Sequence, residues 1–331
     1  MPGETARRPE IKNPLRTDKS APADGAATAS KYAKLASAIR RGDRAALAKA
    51  ITMAEDDPED ASEMLARLGV PGKAFVVGVT GPPGTGKSTL VDRLIGSYRS
   101  LGLRVGVVAV DPSSPFTGGA LLGDRIRMTK HADDMGVFIR SMASRGWTGG
   151  LSRATSQAIR LMDAAGFDIV ILETVGIGQS DIEVVGVSHV VVVVIMPGLG
   201  DGVQASKAGL MEAGDFYVVN KADIEGADAM VVNLLSLFRG RPRSPPVLKV
   251  SALSGDGVET LRSAIDVARS KFASGDPALR LKGIRGMIVE TARGAVLAKL
   301  ASVSESKAGK LAEEVMAGRL SVEAAAERLA R

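Results

Sequence analysis

The sequence contains no cysteine, which excludes disulfide bonds, thiolate metal sites and cysteine nucleophiles. Only 3% of the residues are aromatic, and no basic stretch is interleaved with them. A nucleic-acid surface is therefore not expected, although basic residues exceed acidic ones by 43 to 37. The longest apolar run, residues 190–196, is far too short to cross a bilayer. Because no apolar signal core follows a charged start, we predict a cytoplasmic protein that does not bind membranes.

A glycine-rich loop follows the apolar run 75–80 and precedes a helix-like stretch, which is the context in which GxxxxGK[ST] binds phosphate. Such a loop wraps polyphosphate with backbone N–H groups above a helix N-terminus. Lys87 is expected to reach the β- and γ-phosphates, and the Ser88 hydroxyl to ligate Mg²⁺. We therefore predict a purine nucleoside triphosphate site. Its residues are Gly81, Pro82, Pro83, Gly84, Thr85, Gly86, Lys87, Ser88 and Thr89.

Three acids are candidates for holding Mg²⁺ near this loop. Asp111 and Glu173 end predicted strands, and Asp124 lies in the stretch after Asp111. An acid at a strand end that faces the loop can hold the cation through water, and Gly176 is placed to approach a γ-phosphate with its N–H. Arg127 either neutralises charge during phosphoryl transfer or forms a surface ion pair.

A second motif indicates which base is bound. Asn220, Lys221, Ala222 and Asp223 follow the predicted strand 216–219. A carboxylate at Asp223 can accept hydrogen bonds from N1–H and N2–H₂ of guanine, a pattern that adenine does not offer, and the Lys221 stem can pack on the ring. The site then continues into the loop after the next strand, where a backbone N–H can reach guanine O6. That loop consists of Ser251, Ala252 and Leu253. The motifs together favour GTP over ATP.

Short β-branched runs alternate with helical stretches over most of the chain. This pattern predicts an α/β fold of the P-loop NTPase type, with a mostly parallel sheet covered by helices on both faces. We expect a disordered tail over 1–30, a helical preface over 31–73, the nucleotide domain over 74–275 and a helical dimerisation segment over 276–331. Acidic residues in the tail argue against a mitochondrial transit peptide. The Gly- and Pro-rich loop 196–207 is either a nucleotide-sensing switch or a flexible connection.

The tail after residue 283 carries apolar residues at helical spacing, and that stripe must be buried on its own domain or on a second copy. We expect a homodimer.

Taken together, GPPGTGKST, VDPSSPFTGGALLGDRIRM, ETVGIGQSD, PGLGD and NKAD resemble the MeaB/ArgK family of P-loop GTPases. The resemblance implies the SIMIBI class of G proteins and a homodimer joined through C-terminal helices. It also implies a GTPase that gates adenosylcobalamin delivery to an acyl-CoA mutase such as methylmalonyl-CoA mutase, and that protects or reactivates that mutase. An adenosyltransferase is a further candidate partner. Within the family pattern, Lys87, Ser88, Asp111, Asp124 and Glu173 hold phosphate and Mg²⁺, Asn220 and Asp223 read guanine, and Lys207 belongs to a switch loop.

Other functions remain to be weighed against this one. A kinase for amino-acid transport binding proteins would transfer phosphate to a protein partner. A nickel metallochaperone needs His or Cys ligands, and the chain has only His131 and His189. A targeting GTPase of the signal-recognition type would need a methionine-lined domain, whereas the twelve methionines are scattered.

Overall fold

Seven parallel strands form one sheet in the order β3-β2-β4-β1-β5-β6-β7. The computed structural model describes residues 25–69, 72–111, 129–143, 153–174, 176, 180–198, 212, 214–240, 244–301 and 305–330. The strands are β1 (Phe75–Thr80), β2 (Val105–Asp111), β3 (Val137–Ala143), β4 (Ile169–Glu173), β5 (Val190–Ile195), β6 (Phe216–Val219) and β7 (Val247–Lys249).

Helices cover both faces of this sheet. They are α1 (Gly25–Arg40), α2 (Arg44–Asp56), α3 (Pro58–Ala66), α4 (Lys87–Ser100), α5 (Arg153–Ala164), α6 (Ser180–Val187), α7 (Ala227–Phe238), α8 (Val258–Ala273), α9 (Pro277–Ala301), α10 (Glu305–Met316) and α11 (Val322–Ala330), with a 3₁₀ turn at Thr129–His131. The predicted α/β fold with a parallel sheet is confirmed.

Alternating side chains of the central strand supply two separate cores. On β1, Val76 joins the cluster that contains α2, α3 and α5, whereas Val77 and Val79 join the cluster that contains α4 and α8. Every residue of β1, β4 and β5 is buried. This explains why these strands read as continuous apolar runs rather than as alternating ones.

The N-terminal helices pack on one face of the sheet. Asp43 caps α2 by accepting a hydrogen bond from the N–H of Ala46, and Asp57 caps α3, which has Pro58 in its first turn. Helix α1 begins at Gly25, inside the tail that we expected to extend to residue 30. Residues 1–24, which make up the rest of that tail, lie outside the described residues.

Helix α9 lies against α6 with almost no space between the two backbones. A Cβ atom on Gly286 would stand 1.3 Å from the carbonyl oxygen of Gly186, so only glycine permits this approach. Met287 is buried beside this contact, whereas Leu281 and Ile288 on α9 are more than half exposed. Among the described helices, none combines the length and the apolar character needed to cross a membrane. The cytoplasmic location stays a prediction.

Candidate functional site

The glycine loop connects the carboxyl end of β1 to the start of α4. Gly81 has a φ of 139° and passes so close to β5 that a Cβ atom would lie 2.0 Å from the carbonyl oxygen of Val194. Gly86, just before α4, has a φ of 88°, and a Cβ there would lie 2.4 Å from Nδ2 of Asn220. Both positions therefore require glycine, for conformation and for space.

Lys87 lies inside the curl of this loop. Its side chain is buried, and its Nζ donates to the carbonyl oxygens of Gly81 at 2.9 Å and Pro82 at 3.1 Å. Thr85 also donates to the Pro82 carbonyl, at 2.9 Å, which tightens the turn. The loop thus holds an ammonium group at the N-terminus of α4, where both the side chain and the helix dipole favour an anion.

Ser88 and Glu173 meet at the carboxyl edge of the sheet. The Ser88 hydroxyl donates to Oε1 of Glu173 at 2.7 Å, and both residues are buried. A hydroxyl and a carboxylate oxygen are ligands of the kind that Mg²⁺ prefers, so this pair fits the cation that the sequence predicts. Asp111 ends the neighbouring strand β2, two positions beyond Ala109, the register partner of Glu173.

Four residues that the sequence analysis assigned to the site have no described side chain. The side chain of Asp111, and Asp124, Arg127 and Lys207 as a whole, lie outside the described residues. Within the ranges that the structure describes, no group of three or more His, Asp or Glu side chains is arranged to hold a metal ion. The roles of these four residues stay predictions.

Gly176 lies against the glycine loop. Its φ is 86°, and a Cβ atom would stand 2.0 Å from the Gly81 carbonyl oxygen and 2.8 Å from Nζ of Lys87. Thr174, two residues earlier, is held in place by donating its N–H to the Val79 carbonyl at 3.1 Å. The backbone after Glu173 is thus within reach of whatever the loop and Lys87 bind.

Asn220 ties the glycine loop to the loop that contains Ala252. Its Nδ2 donates to the carbonyl of Thr85 at 2.8 Å, and its Oδ1 accepts the N–H of Ala252 at 3.0 Å. The sequence predicts Asn220 as a guanine reader, and the structure adds this bridging role. The next residue, Lys221, has a φ of 56°, an uncommon conformation for a side chain with a Cβ and one that is often found at binding sites.

Asp223 is the exposed carboxylate of the NKAD motif. The Ser251 hydroxyl donates to its Oδ1 at 2.5 Å, and this hydrogen bond, ahead of the nearby backbone N–H, lowers the pKa of the carboxyl group. The group is therefore ionised at neutral pH, as an acceptor of two guanine N–H bonds must be. Ser251 and Ala252 are buried, whereas the side chain of Leu253 is exposed.

Sequence reasoning missed Arg93. This residue lies on α4, and its guanidinium donates through Nε to the Ala252 carbonyl at 2.9 Å and through Nη2 to the Leu253 carbonyl. It therefore holds the loop 251–253, which we call the base loop, onto the helix that begins with Lys87. No motif marks such a contact, because it joins residues far apart in the chain.

The two histidines lie on different parts of the fold. His131 contacts Asp92 on α4, with 3.0 Å between Nε2 and Oδ1. His189 stacks on Phe75 at the amino end of the sheet, with ring centroids 5.3 Å apart. They do not form a joint metal site, which argues against the nickel alternative.

Comparison with known proteins agrees with this geometry. The sequence model of the family described as methylmalonyl-CoA mutase-associated GTPase MeaB matches residues 47–300. A Pyrococcus abyssi protein named as a GTPase is 52% identical over 231 residues, which are 67% of this chain and 71% of that protein. The mouse mitochondrial homolog of methylmalonic aciduria type A is 36% identical over 271 residues, which are 75% of this chain and 65% of that protein.

A solved structure shares the fold over nearly the whole chain. The crystal structure of an LAO/AO transport system kinase superposes with a TM-score of 0.66 at 27% identity, covering 91% of this chain and 96% of that one. With a P-loop fold, a family match over most of its length and relatives named as GTPases, the chain belongs to the MeaB family of methylmalonyl-CoA mutase-associated GTPases and is itself a guanine-nucleotide-binding GTPase.

Proposed function

We propose that this GTPase is a chaperone of an adenosylcobalamin-dependent acyl-CoA mutase, either methylmalonyl-CoA mutase or a related isomerase. In this role, GTP binding and hydrolysis gate the delivery of adenosylcobalamin and help to protect or reactivate the mutase, with an adenosyltransferase as a further partner. The family's description names methylmalonyl-CoA mutase, and the mouse relative is named after methylmalonic aciduria. Both names support this partner class.

One structural observation carries the proposal. Gly176 lies against Lys87 and the glycine loop, and the chain continues from it into α6, which packs directly on α9. Helix α9 in turn exposes Leu281 and Ile288. A change of nucleotide at the loop is therefore only one helix away from an apolar surface where a second copy of the chain binds, so the nucleotide can alter the dimer that services the mutase.

The chemistry proposed for the site combines the contacts of Lys87, Ser88, Glu173 and Gly176 with the predicted roles of the motif residues. Lys87 exchanges its loop carbonyls for phosphate oxygens, and the Gly176 N–H contacts the γ-phosphate. Ser88 and Glu173 hold Mg²⁺, with Asp111 and Asp124 as further acids. The bound cation would neutralise charge on the phosphates. Arg127 supplies additional positive charge, and Asp223 with the base loop selects guanine.

We also propose that the exposed face of α9 is where two copies of the chain meet. Its apolar side chains are separated by three, four and eight positions, so they lie along one side of the helix. They are Leu281, Ile284, Ile288 and Val296. Replacing Ile288 with Glu should turn a dimer into a monomer in light-scattering measurements, and a variant that stays dimeric would move the interface elsewhere.

The experiment that tests the function mixes the protein with γ-labelled GTP and one candidate partner at a time. Release of free phosphate that accelerates at least about tenfold with a mutase supports the chaperone. Label transferred to a binding protein supports the second candidate, a kinase of amino-acid transport, which the name of the LAO/AO structure favours. Lys87→Ala is the control, because it removes the ammonium that contacts the phosphates and should abolish both signals.

A further inference from the structure

Three cationic side chains line a cavity of about 340 Å³ at the edge of the sheet opposite the glycine loop. Arg40 comes from the end of α1, Lys73 precedes β1, and Arg160 lies on α5. Lys73 stands before the amino end of β1, whereas the glycine loop follows its carboxyl end. The cavity is therefore separate from the nucleotide site, and both can be filled at once.

The acid that lines this cavity is already engaged by the backbone. Asp163 accepts the N–H groups of Gly72 at 2.8 Å, Lys73 at 3.0 Å and Ala74 at 2.7 Å. These three bonds fix the chain as it enters β1 and use both carboxylate oxygens. Asp163 thus has a structural role, and within the described residues it forms no ion pair with any of the three cations.

Arg160, unlike Asp163, forms no hydrogen bond with the described residues. Its side chain is half-buried, yet within the described ranges its guanidinium meets neither a hydrogen-bond acceptor nor a carboxylate within ion-pair distance. Burial lowers the pKa of this group, and the charge of Asp163 only partly opposes that effect. None of the Arg160 nitrogens is fully buried, so they remain accessible to an external acceptor in the cavity.

We propose that this cavity is an anion site that binds a phosphate group, with Arg160 as its main ligand and Arg40 and Lys73 at its rim. A guanidinium offers paired N–H donors that match phosphate oxygens, and three cations suit a dianion better than a carboxylate. At roughly 30 Å³ per water molecule, the cavity holds about ten waters, so a phosphate with a small polar group attached also fits. Free phosphate and a phosphomonoester share this chemistry.

Calorimetry on the GDP-loaded protein tests the proposal, because GDP occupies the glycine loop apart from the γ-phosphate position, and binding there does not depend on Arg160. The probes are inorganic phosphate, ribose 5-phosphate and acetate at constant ionic strength. We expect saturable binding of a phosphate probe and at least tenfold weaker binding by Arg160→Met. Arg285→Met, an exposed arginine on α9, is the matched control and should bind as wild type does.

The outcomes divide clearly. Ribose 5-phosphate binding at least tenfold more tightly than inorganic phosphate identifies a phosphomonoester, and equal affinities identify free phosphate. No saturable binding of either, binding unchanged in Arg160→Met, or acetate binding as well as phosphate overturns the proposal. If Arg160→Met does not fold, Lys73→Met takes its place, with the thermal midpoint of the GDP-loaded protein in phosphate and in chloride as the readout. A rise in the thermal midpoint that is specific to phosphate and that Lys73→Met retains in full also overturns the proposal.

Discussion

Nε of Arg93 and the carbonyl oxygen of Ala252 lie 2.9 Å apart, so the helix that presents Lys87 and Ser88 also holds the base loop. Asn220 makes the complementary connection, from the carbonyl of Thr85 to the N–H of Ala252. Ala252 is thus held through both its carbonyl and its N–H. These two side chains therefore join helix α4 and the glycine loop directly to the loop 251–253, in addition to the connection through the sheet.

Replacing Arg93 with Met should lower GDP affinity about tenfold, which corresponds to about 1.4 kcal/mol, because the charged hydrogen bonds that position the base loop are lost. Arg93→Lys should recover part of the lost GDP affinity. Titration with a fluorescent GDP analogue measures the effect, and the preference for GDP over ADP should fall with it. Arg269→Met, which loses an ion pair to Asp266 on α8, is the control. An undiminished guanine preference in Arg93→Met would show that the base loop keeps its position without this contact.

Asp223→Asn should weaken GDP binding about a hundredfold and strengthen binding of the xanthine nucleotide, because an amide cannot accept both guanine N–H bonds. Competition between GDP and XDP gives both affinities. Asp228→Asn is the matched control, since Asp228 is exposed nearby and pairs with Lys249. A variant that rejects XDP as strongly as wild type does would remove Asp223 from the base site.

Gly176→Ala should slow GTP hydrolysis at least about tenfold while GDP binding persists, because the added methyl group would collide with the Gly81 carbonyl. Gly102→Ala is the control for the strain that a side chain causes at a positive φ, without a collision. Gly102 has a comparable φ of 76°, and a Cβ there meets nothing within 4 Å. Backbone strain should cost each variant about 1 kcal/mol of stability, and the collision should add to this loss in Gly176→Ala. Single-turnover hydrolysis by the folded, GTP-loaded variants should distinguish them. Equal rates in the two variants would contradict a role for Gly176 at the γ-phosphate.

His189 should make the protein less stable in mild acid. Burial, and secondarily the charge of Lys282, lower the pKa of this histidine to about 4. The unfolded chain binds a proton at about pH 6.5 whereas the folded chain does not, so stability is lost as the pH falls from about 6.5 towards 4. The contribution at pH 5 is about 2 kcal/mol.

Urea unfolding at pH 7 and pH 5 measures this loss, with His189→Gln as the reference that cannot titrate. The difference in unfolding free energy between wild type and variant should shrink by about 2 kcal/mol between the two pH values. The Nδ1 atom of His189 accepts the N–H of Val76 at 2.8 Å, which fixes the neutral tautomer. A difference that does not change with pH would mean that His189 titrates equally in both states.

The sequence was sufficient to predict the sheet and the outline of the site. Glu173 ends one apolar run, and Lys87 and Ser88 follow another after the glycine loop. Because the carboxyl ends of parallel strands meet at one edge, the proximity of these residues follows from topology. The positions of the strands in the sheet then decide which of these residues touch. The parallel pairing of β1 with β4 brings the end of β4 beside the glycine loop.

Contacts between side chains of distant helices and loops could not be predicted in this way. Arg93 and Ala252 are 159 positions apart, and nothing in the local pattern around either residue refers to the other. The same holds for Arg160, which looks like an ordinary arginine on an amphipathic helix until the cavity beside it is seen. Gly286 is a third case, since a glycine within a helix pattern reads as a weak point in that helix.

The contact between Gly186 and Gly286 has a mechanical consequence. Because no side chain separates the two backbones at Gly186 and Gly286, this point of contact contains no rotamer that could adjust and absorb a displacement. When α6 moves, α9 must either rotate with it as a rigid body or separate from it. The 25-residue length of α9 would then turn a small rotation at Gly286 into a much larger swing at its far end.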